Sequence, residues 1–188
     1  MKRKIFGISL IIAMLSLVVC GSLAYFTAQE TVHNVITSGG ISIELLEWAD
    51  TEKKVEFPKS GIDNVMPGTE VTKILEVKNT GSDTAYIRVS IDTKISVENA
   101  DLSLIGLDFN DKDWTYKDGF YYYNAPLAKG ELSTPLFTRV SFSKDMGNAY
   151  RYSTVNIDAA AYAVQIAHNG TNALDAEGWP EIATPITD

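Results

Sequence analysis

Cysteine and histidine are scarce in this chain of 188 residues. The one cysteine, Cys20, lies in an apolar N-terminal segment, and the two histidines, His33 and His168, are far apart in the sequence. A single thiol cannot form an intramolecular disulfide, and a catalytic zinc ion usually needs three protein ligands. The sequence also lacks an HExxH motif, a nucleophile elbow and a phosphate-binding glycine loop. We therefore predict that the protein is not an enzyme and uses neither a metal site nor a cofactor.

Positive charge is scarce as well. There are 16 Lys and Arg residues against 24 Asp and Glu residues, which gives a net charge of −8. Three of the cations, Lys2, Arg3 and Lys4, lie at the N-terminus, so the rest of the chain carries a net charge of −11. Nucleic acids and anionic membrane surfaces attract proteins through such cations. We therefore expect neither of them as a partner.

The first 24 residues have the layout of a secretory signal peptide. The cationic start is followed by an apolar run over residues 5–19, and Ser22 and Ala24 supply small residues at positions −3 and −1 of a cut before Tyr25. A membrane-spanning helix usually needs about 20 apolar residues, so this run is short for a permanent anchor. An uncleaved anchor and lipidation of Cys20 are the alternatives, although Val19 is larger than the small residue that lipidation requires. A cut leaves the mature protein without membrane contact.

The domain boundaries follow from this reading. We predict a signal peptide helix at 1–24, an N-terminal segment at 25–40 and a folded β-sandwich domain at 41–188. About 160 residues without a disulfide are enough to bury a stable core.

From residue 41 onward, apolar residues recur at every second position in short segments separated by Gly, Pro, Asn and Asp, a pattern typical of β-strands. Residues 69–92 predict an antiparallel pair joined by a short turn. Residues 155–163 predict a strand in spite of their alanines, and a short helix is expected around 100–106. Seven or eight strands at this spacing predict an all-β fold, a two-sheet antiparallel sandwich of jelly-roll type.

Two residue clusters have possible binding roles. Asp108, Asp111 and Asp113 lie close together in one predicted loop and have the ligand type that calcium prefers, but the spacing of an EF-hand is missing. We expect a solvated loop there. The aromatic block 120–123, with Trp114 and Tyr116 nearby, is either a carbohydrate-stacking platform or part of the core. Alternate rings of a strand point to opposite faces, which favours core packing.

Several segments resemble the secreted TasA/camelysin (CalY) family of Gram-positive bacteria. The most specific ones are GSLAYFTAQETVHNVITSGGISIEL at the N-terminus and MPGTEVTKILEVKNTGSDTAYIRVSI in the first half of the domain. DGFYYYNAPLAKGELSTPLF and AAAYAVQI are similar too. The N-terminal segment looks like the signal of substrates of the dedicated signal peptidase SipW, which makes that peptidase a partner during export.

The resemblance implies a jelly-roll sandwich that is secreted to the cell surface and assembles into biofilm matrix fibres, with itself or related matrix subunits as partners. It also implies donor-strand complementation, in which the freed N-terminal segment of one subunit pairs with a sheet of the next. In this chain the donor is residues 25–38. Its candidate anchors are Phe26, Val32, Val35 and Ile36, of which Val35 has the opposite parity and points to the other face.

The sequence therefore leaves three alternative functions. The first is a structural fibre subunit, and the second is a cell-surface module that binds carbohydrate or protein through aromatic loops. The third is a secreted metallopeptidase, an activity with which some family members are labelled. The sequence lacks the histidine and glutamate motif that this chemistry needs, so the peptidase is the weakest of the three.

Overall fold

The computed structural model describes residues 40–180, which contain eight β-strands and two single-turn 3-10 helices. The strands are β1 (Ile43–Trp48), β2 (Glu70–Asn79), β3 (Ala85–Ile95), β4 (Ile105–Leu107), β5 (Trp114–Lys117), β6 (Phe120–Tyr123), β7 (Phe137–Phe142) and β8 (Val155–Gln165). The 3-10 helices are Leu102–Leu104 and Asn148–Tyr150. The predicted signal peptide helix and N-terminal segment lie outside the described residues.

The strands form two four-stranded sheets in which every neighbouring pair is antiparallel. The first sheet has the order β1-β2-β7-β4, and the second has the order β5-β6-β3-β8. One buried apolar cluster takes side chains from both sheets, so the sheets pack face to face. The predicted all-β fold, a two-sheet antiparallel sandwich with the eight strands of a jelly roll, is confirmed.

In β2, β3 and β8 the core between the sheets is formed by alternate strand residues, as the sequence pattern predicts, whereas in β7 the buried residues Phe137 and Val140 are three positions apart. Its fully buried members include large residues from both layers, namely Leu75, Val77, Ile87, Val89, Trp114, Phe137, Val140 and Val155. The Trp114 indole Nε1 donates a hydrogen bond to the Thr134 carbonyl at 3.1 Å, which satisfies the polar atom of the largest core side chain.

The predicted hairpin over residues 69–92 is wrong. Both strands exist, but β2 pairs with β1 and β7, whereas β3 pairs with β6 and β8. The connection between them carries the chain from one sheet to the other. Asn79 holds this connection, because its Nδ2 donates to the carbonyls of Asp83 and Leu127 at 2.8 Å and its Oδ1 accepts from Gly81 N at 2.9 Å. The period-two pattern identifies strands but not their neighbours.

Two local predictions also need adjustment. The helix expected around residues 100–106 is a single 3-10 turn, Leu102–Leu104, which leads directly into strand β4. Asp101 caps this turn, since its carboxylate accepts from Ser103 N at 3.0 Å. The alanine-rich segment is a strand, as predicted, and Val155, Ile157, Ala161 and Ala163 are buried on its inner face.

The described chain begins at a fixed point of the fold. Gly40 has φ +97°, and its carbonyl accepts from Ser82 N at 2.9 Å and Asp83 N at 3.3 Å. The Ser42 carbonyl accepts from Gly81 N at 2.9 Å. A Cβ atom on Gly81 would lie 2.5 Å from the Gly40 carbonyl oxygen, so glycine is required for this close approach. Residues 40–42 are therefore anchored to the connection between β2 and β3.

Candidate functional site

The strand edges are the candidate interaction surfaces of this sandwich. Its outermost strands are β1 and β4 in the first sheet and β5 and β8 in the second. Strands β4 and β5 have only three and four residues, whereas β8 has eleven. An outer strand presents backbone N–H and C=O groups that another chain can pair with.

A following segment covers part of the β1 edge. Trp48 and Glu56 form an isolated antiparallel bridge. Phe57 N donates to the Glu47 carbonyl at 2.9 Å, and Ala49 N donates to the Val55 carbonyl at 2.8 Å. The end of β1 is therefore closed by its own chain.

The predicted site residues belong to the N-terminal part of the chain. Ser22, Ala24 and Tyr25 at the proposed cut, and the donor anchors Phe26, Val32, Val35 and Ile36, all lie outside the described residues. The structure therefore does not test these assignments. It does describe the domain that the anchors would bind.

Two ion pairs that each bury one charged side chain of β2 were not recognised in the sequence as structural features. Lys73 interrupts the apolar face of β2, and its Nζ lies 2.8 Å from Glu47 Oε1 and 4.0 Å from the centre of the Phe57 ring. Burial lowers the pKa of the Lys73 ammonium, and the Glu47 carboxylate opposes this effect. On the same strand, the buried carboxylate of Glu76 pairs with Lys53 Nζ. A polar residue in an apolar strand pattern was the only signal available.

Arg88 in β3 has an aromatic surrounding instead of an acidic one. Its guanidinium carbon lies 3.8 Å from the ring centre of Phe120, 4.7 Å from that of Trp179 and 5.4 Å from that of Tyr162. Nη2 donates to the Pro180 carbonyl at 3.3 Å. These contacts attach the C-terminal segment 166–180 to the second sheet, and none of the ion pairs among the described residues involves Arg88.

The rings of the aromatic block pack into two apolar clusters: Tyr121 and Tyr123 lie against the core between the sheets, whereas Phe120 and Tyr122 belong to a second cluster with the C-terminal segment. Trp114 and Tyr122 are buried, and the Tyr121 ring stacks on Phe109 with centroids 4.3 Å apart. Burial raises the pKa of Tyr121 to about 12, with smaller effects of Tyr116 and Asp111. Tyr116 is 62% exposed, and its ring centroid lies 4.8 Å from that of Tyr121. Within the aromatic block and its neighbours Trp114 and Tyr116, this pair of rings is the part that a carbohydrate could reach.

The acidic loop has a structural role at Asp108. Its carboxylate accepts from the backbone N–H groups of Thr138 at 2.7 Å and Arg139 at 2.6 Å, and from the Thr138 hydroxyl. Burial alone would raise the pKa of Asp108, but these hydrogen bonds together hold it below its usual value. Asp113 instead accepts from the Asn110 amide at 3.1 Å. Asp108 therefore binds the loop to strand β7, whereas Asp113 makes a hydrogen bond within the loop.

Within residues 40–180, no three His, Cys, Asp or Glu side chains lie together in a way that could hold a metal ion. This part of the chain therefore does not fit a metallopeptidase centre, and no metal-dependent step follows from it. The same part of the chain has no helix long and apolar enough to cross a membrane.

Together, the two packed sheets and their partly covered edges define an all-β domain that has no cluster of metal-ligating side chains among its described residues. Comparison with known proteins adds the family. The family model described as "Camelysin metallo-endopeptidase" matches residues 1–114, more than half of the chain. The chain therefore belongs to the TasA/camelysin family. No curated protein and no solved structure matches it.

Family membership indicates a secreted or cell-surface protein related to the extracellular matrix. The name of the family includes metallo-endopeptidase activity, which argues against the prediction that the protein is not an enzyme. TasA members of the same family are structural proteins. The family thus includes both structural proteins and proteins named as metallopeptidases, which are two of the three functions considered from the sequence.

Proposed function

We propose that this protein is a structural subunit of extracellular matrix fibres, and that subunits join when residues 25–38 of one copy add a strand to the sandwich of the next. The observation that carries the proposal is the edge strand β8, whose outer side has few hydrogen-bond partners among the described residues. Membership of the TasA/camelysin family supports the same proposal. A strand added to such an edge satisfies its backbone groups, and alternate side chains of the added strand supply specificity.

The N-terminal segment has the composition of such a strand. Residues 25–38 contain no proline, no glycine and no Lys or Arg, and Val, Ile, Thr, Tyr and Phe make up more than half of them. Phe26, Val32 and Ile36 share one parity and therefore one face of an extended chain. The segment ends just before Gly40, whose hydrogen bonds to residues 82 and 83 fix where the chain enters the domain.

Cleavage after Ala24 belongs to the same proposal. A segment that remains attached to a membrane-inserted signal peptide is held at its N-terminal end, and it cannot move freely to a neighbouring subunit. Removal of the signal by SipW or another signal peptidase would release Tyr25 as a new N-terminus. Export and assembly would then be linked by one cut.

The test compares Val32 with Val35, the one candidate anchor of opposite parity. We expect Val32→Ser to reduce the fibre mass on secreting cells at least about tenfold, because burying a valine side chain is worth about 1.5–3 kcal/mol at each joint. Val35→Ser is the matched control, and its effect should be clearly smaller. Electron microscopy of the cells measures fibres, and mass spectrometry of the released protein should show a start at Tyr25.

Two results would contradict the proposal. One is an unaltered protein that stays monomeric at all concentrations and leaves no fibres on cells. The other is a variant lacking residues 25–38 that assembles as well as the unaltered protein.

A further inference from the structure

Strand β8 is paired over its whole length on one side only. It forms eleven antiparallel residue pairs with β3, from Val155 opposite Ile95 to Gln165 opposite Ala85. On its other side, the one described backbone partner is Ile62, which exchanges two backbone hydrogen bonds with Val155 at 2.8 and 2.9 Å. At the far end, the Gln165 carbonyl accepts from the Asn169 side-chain amide at 3.0 Å. Beyond that bridge, the outer side of β8 is an unfinished sheet edge in the described structure.

The bridge to Ile62 shows which backbone groups face outward. The N–H and C=O of Val155 point away from β3, and these directions alternate along an antiparallel strand. The same outward direction therefore applies to the residues at every second position, namely Ile157, Ala159, Ala161 and Ala163. None of these outward groups has a backbone partner among residues 40–180.

The remaining edges offer less to an incoming chain. The end of β1 is closed by the bridge of Trp48 to Glu56, as described above. Strand β5 has only four residues. Asn124 N donates to the Asp113 carbonyl, so by alternation only the backbone groups of Trp114 and Tyr116 in this strand point away from β6. Strand β4 has three residues. The outer side of β8 is therefore the longest free edge in the described structure.

Strand β8 also lacks most of the features that usually protect an edge from other chains, and its one charged residue is Asp158. Proteins blunt their edge strands with Pro, Lys, bulges or very short length. Residues 155–165 contain no Pro and no Lys or Arg, and their register with β3 is continuous. In contrast, the internal pair of β2 and β7 has a register shift between Thr72 and Leu75. A long unprotected edge is what an acceptor of a further strand requires.

Side-chain size at this edge points to a partner with large apolar residues. The outward-facing positions of β8 carry their side chains on the core face, and three of the four are alanines: Ala159, Ala161 and Ala163. A strand placed beside them puts its own core-facing side chains next to single methyl groups. Phe26, Val32 and Ile36 of the N-terminal segment are large apolar residues of one parity.

We propose that the outer edge of β8, at residues 157–163, accepts residues 25–38 of a second copy of the chain. This inference rests on the proposed function and assigns the acceptor. Seven residues of edge span about 20–24 Å, and a segment of fourteen residues can extend to about 46–50 Å. The segment is therefore long enough to pair with the edge and still connect to its own domain.

The entry point of the chain favours a second copy over the same copy. Gly40 is bonded to Ser82 and Asp83, next to the end of the sheet where Ala85 pairs with Gln165. A segment that runs along its own β8 into Gly40 would therefore be parallel to β8. Every strand pair in both sheets is antiparallel, and parallel pairing is slightly less stable per residue. A second copy can add its segment in the antiparallel direction.

A proline at each edge of the second sheet tests the acceptor. Ala159→Pro removes an outward N–H of β8, and Tyr116→Pro removes an outward N–H of β5 at the opposite edge, so each variant should keep its inner strand pairing. We expect Ala159→Pro to reduce polymer formation by the secreted protein at least about tenfold, because a proline at the acceptor edge both deletes a hydrogen bond and blocks pairing. Tyr116→Pro should change polymer formation less than twofold, because the proposal assigns no incoming strand to β5. Sedimentation measures the polymer, and thermal unfolding checks that both variants fold.

A cross-linking experiment gives the answer even if a proline variant fails to fold. A benzophenone amino acid at position 32 is placed in the full chain, and nitrogen-15-labelled and unlabelled copies are mixed before irradiation. Mixed-isotope cross-links to residues 155–165 support the proposal. Cross-links within one copy, or to residues 114–117, overturn it while the polymer itself still supports the proposed function. An unaltered protein that forms no polymer overturns the proposed function, and the acceptor assignment with it.

Discussion

Lys73 in β2 and Arg88 in β3 are both strand cations, one in each sheet, but they are stabilised in opposite ways. Lys73 is buried and pairs with the Glu47 carboxylate at 2.8 Å. Arg88 has no described carboxylate partner and instead lies against Phe120 and Trp179. The difference matches the two side chains: an ammonium is a compact, strongly hydrated charge, whereas a flat guanidinium is more weakly hydrated and stacks on rings.

Each cation is also covered by a different segment of the chain, and each segment supplies an aromatic ring. Phe57, from the segment that closes β1, lies over the Lys73 ammonium at 4.0 Å. The C-terminal segment places Trp179 over the Arg88 guanidinium and packs Ala173 and Ala176 around it in a small apolar cluster with Tyr86 and Tyr122. Removal of a single partner should therefore be severe for the ion pair and more gradual for the aromatic site.

The largest expected effect is that of Lys73→Met. This change leaves the Glu47 carboxylate partly buried without its cation, so we expect a loss of about 3–5 kcal/mol in the free energy of unfolding. Urea unfolding at neutral pH measures it, provided that the m value stays the same.

The matched control is the double variant Lys73→Met with Glu47→Leu. Replacing both partners of a buried ion pair with apolar residues is often neutral or stabilising, so most of the loss should be recovered. A double variant as unstable as Lys73→Met alone would show that the lysine stem, and not the charge pair, holds this part of the sandwich.

Arg88→Ala should have a smaller effect, about 1–3 kcal/mol, because it removes several cation–aromatic contacts but leaves no opposite charge behind. The change should also loosen the C-terminal segment, which limited proteolysis at residues 166–180 can detect. Arg88→Lys is the conservative control and should recover only part of the loss, since an ammonium does not stack on rings as a guanidinium does. Equal stability of Arg88→Lys and the unaltered protein would contradict the proposed importance of stacking.

The smallest expected effect is a change of stability with pH at the Lys73 site. Burial lowers the pKa of Lys73 in the folded protein, while the unfolded chain keeps the usual lysine value of about 10.5. Between these two values the unfolded chain binds more protons, so the contribution of this group to stability rises with pH and levels off above 10.5. Unfolding from about pH 8 upward, compared between the unaltered protein and the Lys73/Glu47 double variant, isolates this contribution. A difference that falls with pH would contradict the direction.

The strands were largely predictable because a half-buried strand imposes its period of two on the sequence. The inner faces of β2, β3 and β8 follow from their alternating residues, and the alanines of β8 did not obscure the pattern. Strands β4 and β5 were missed as strands because three or four residues do not establish a period. Lys73 was visible as an exception in an apolar strand face, but its partner Glu47 comes from another part of the chain.

The sequence by itself determined the class of this protein: an acidic, nearly cysteine-free chain with an export signal pattern at its start and an all-β domain behind it. These properties depend on composition and local periodicity, which a sequence displays directly. Only the tertiary structure decided which strands are neighbours, that residues 69–92 bridge two sheets, and that the outer edge of β8 is mostly unpaired within residues 40–180. Those features depend on pairings between residues far apart in sequence, such as Ala85 with Gln165, and local periodicity carries no information about the partner.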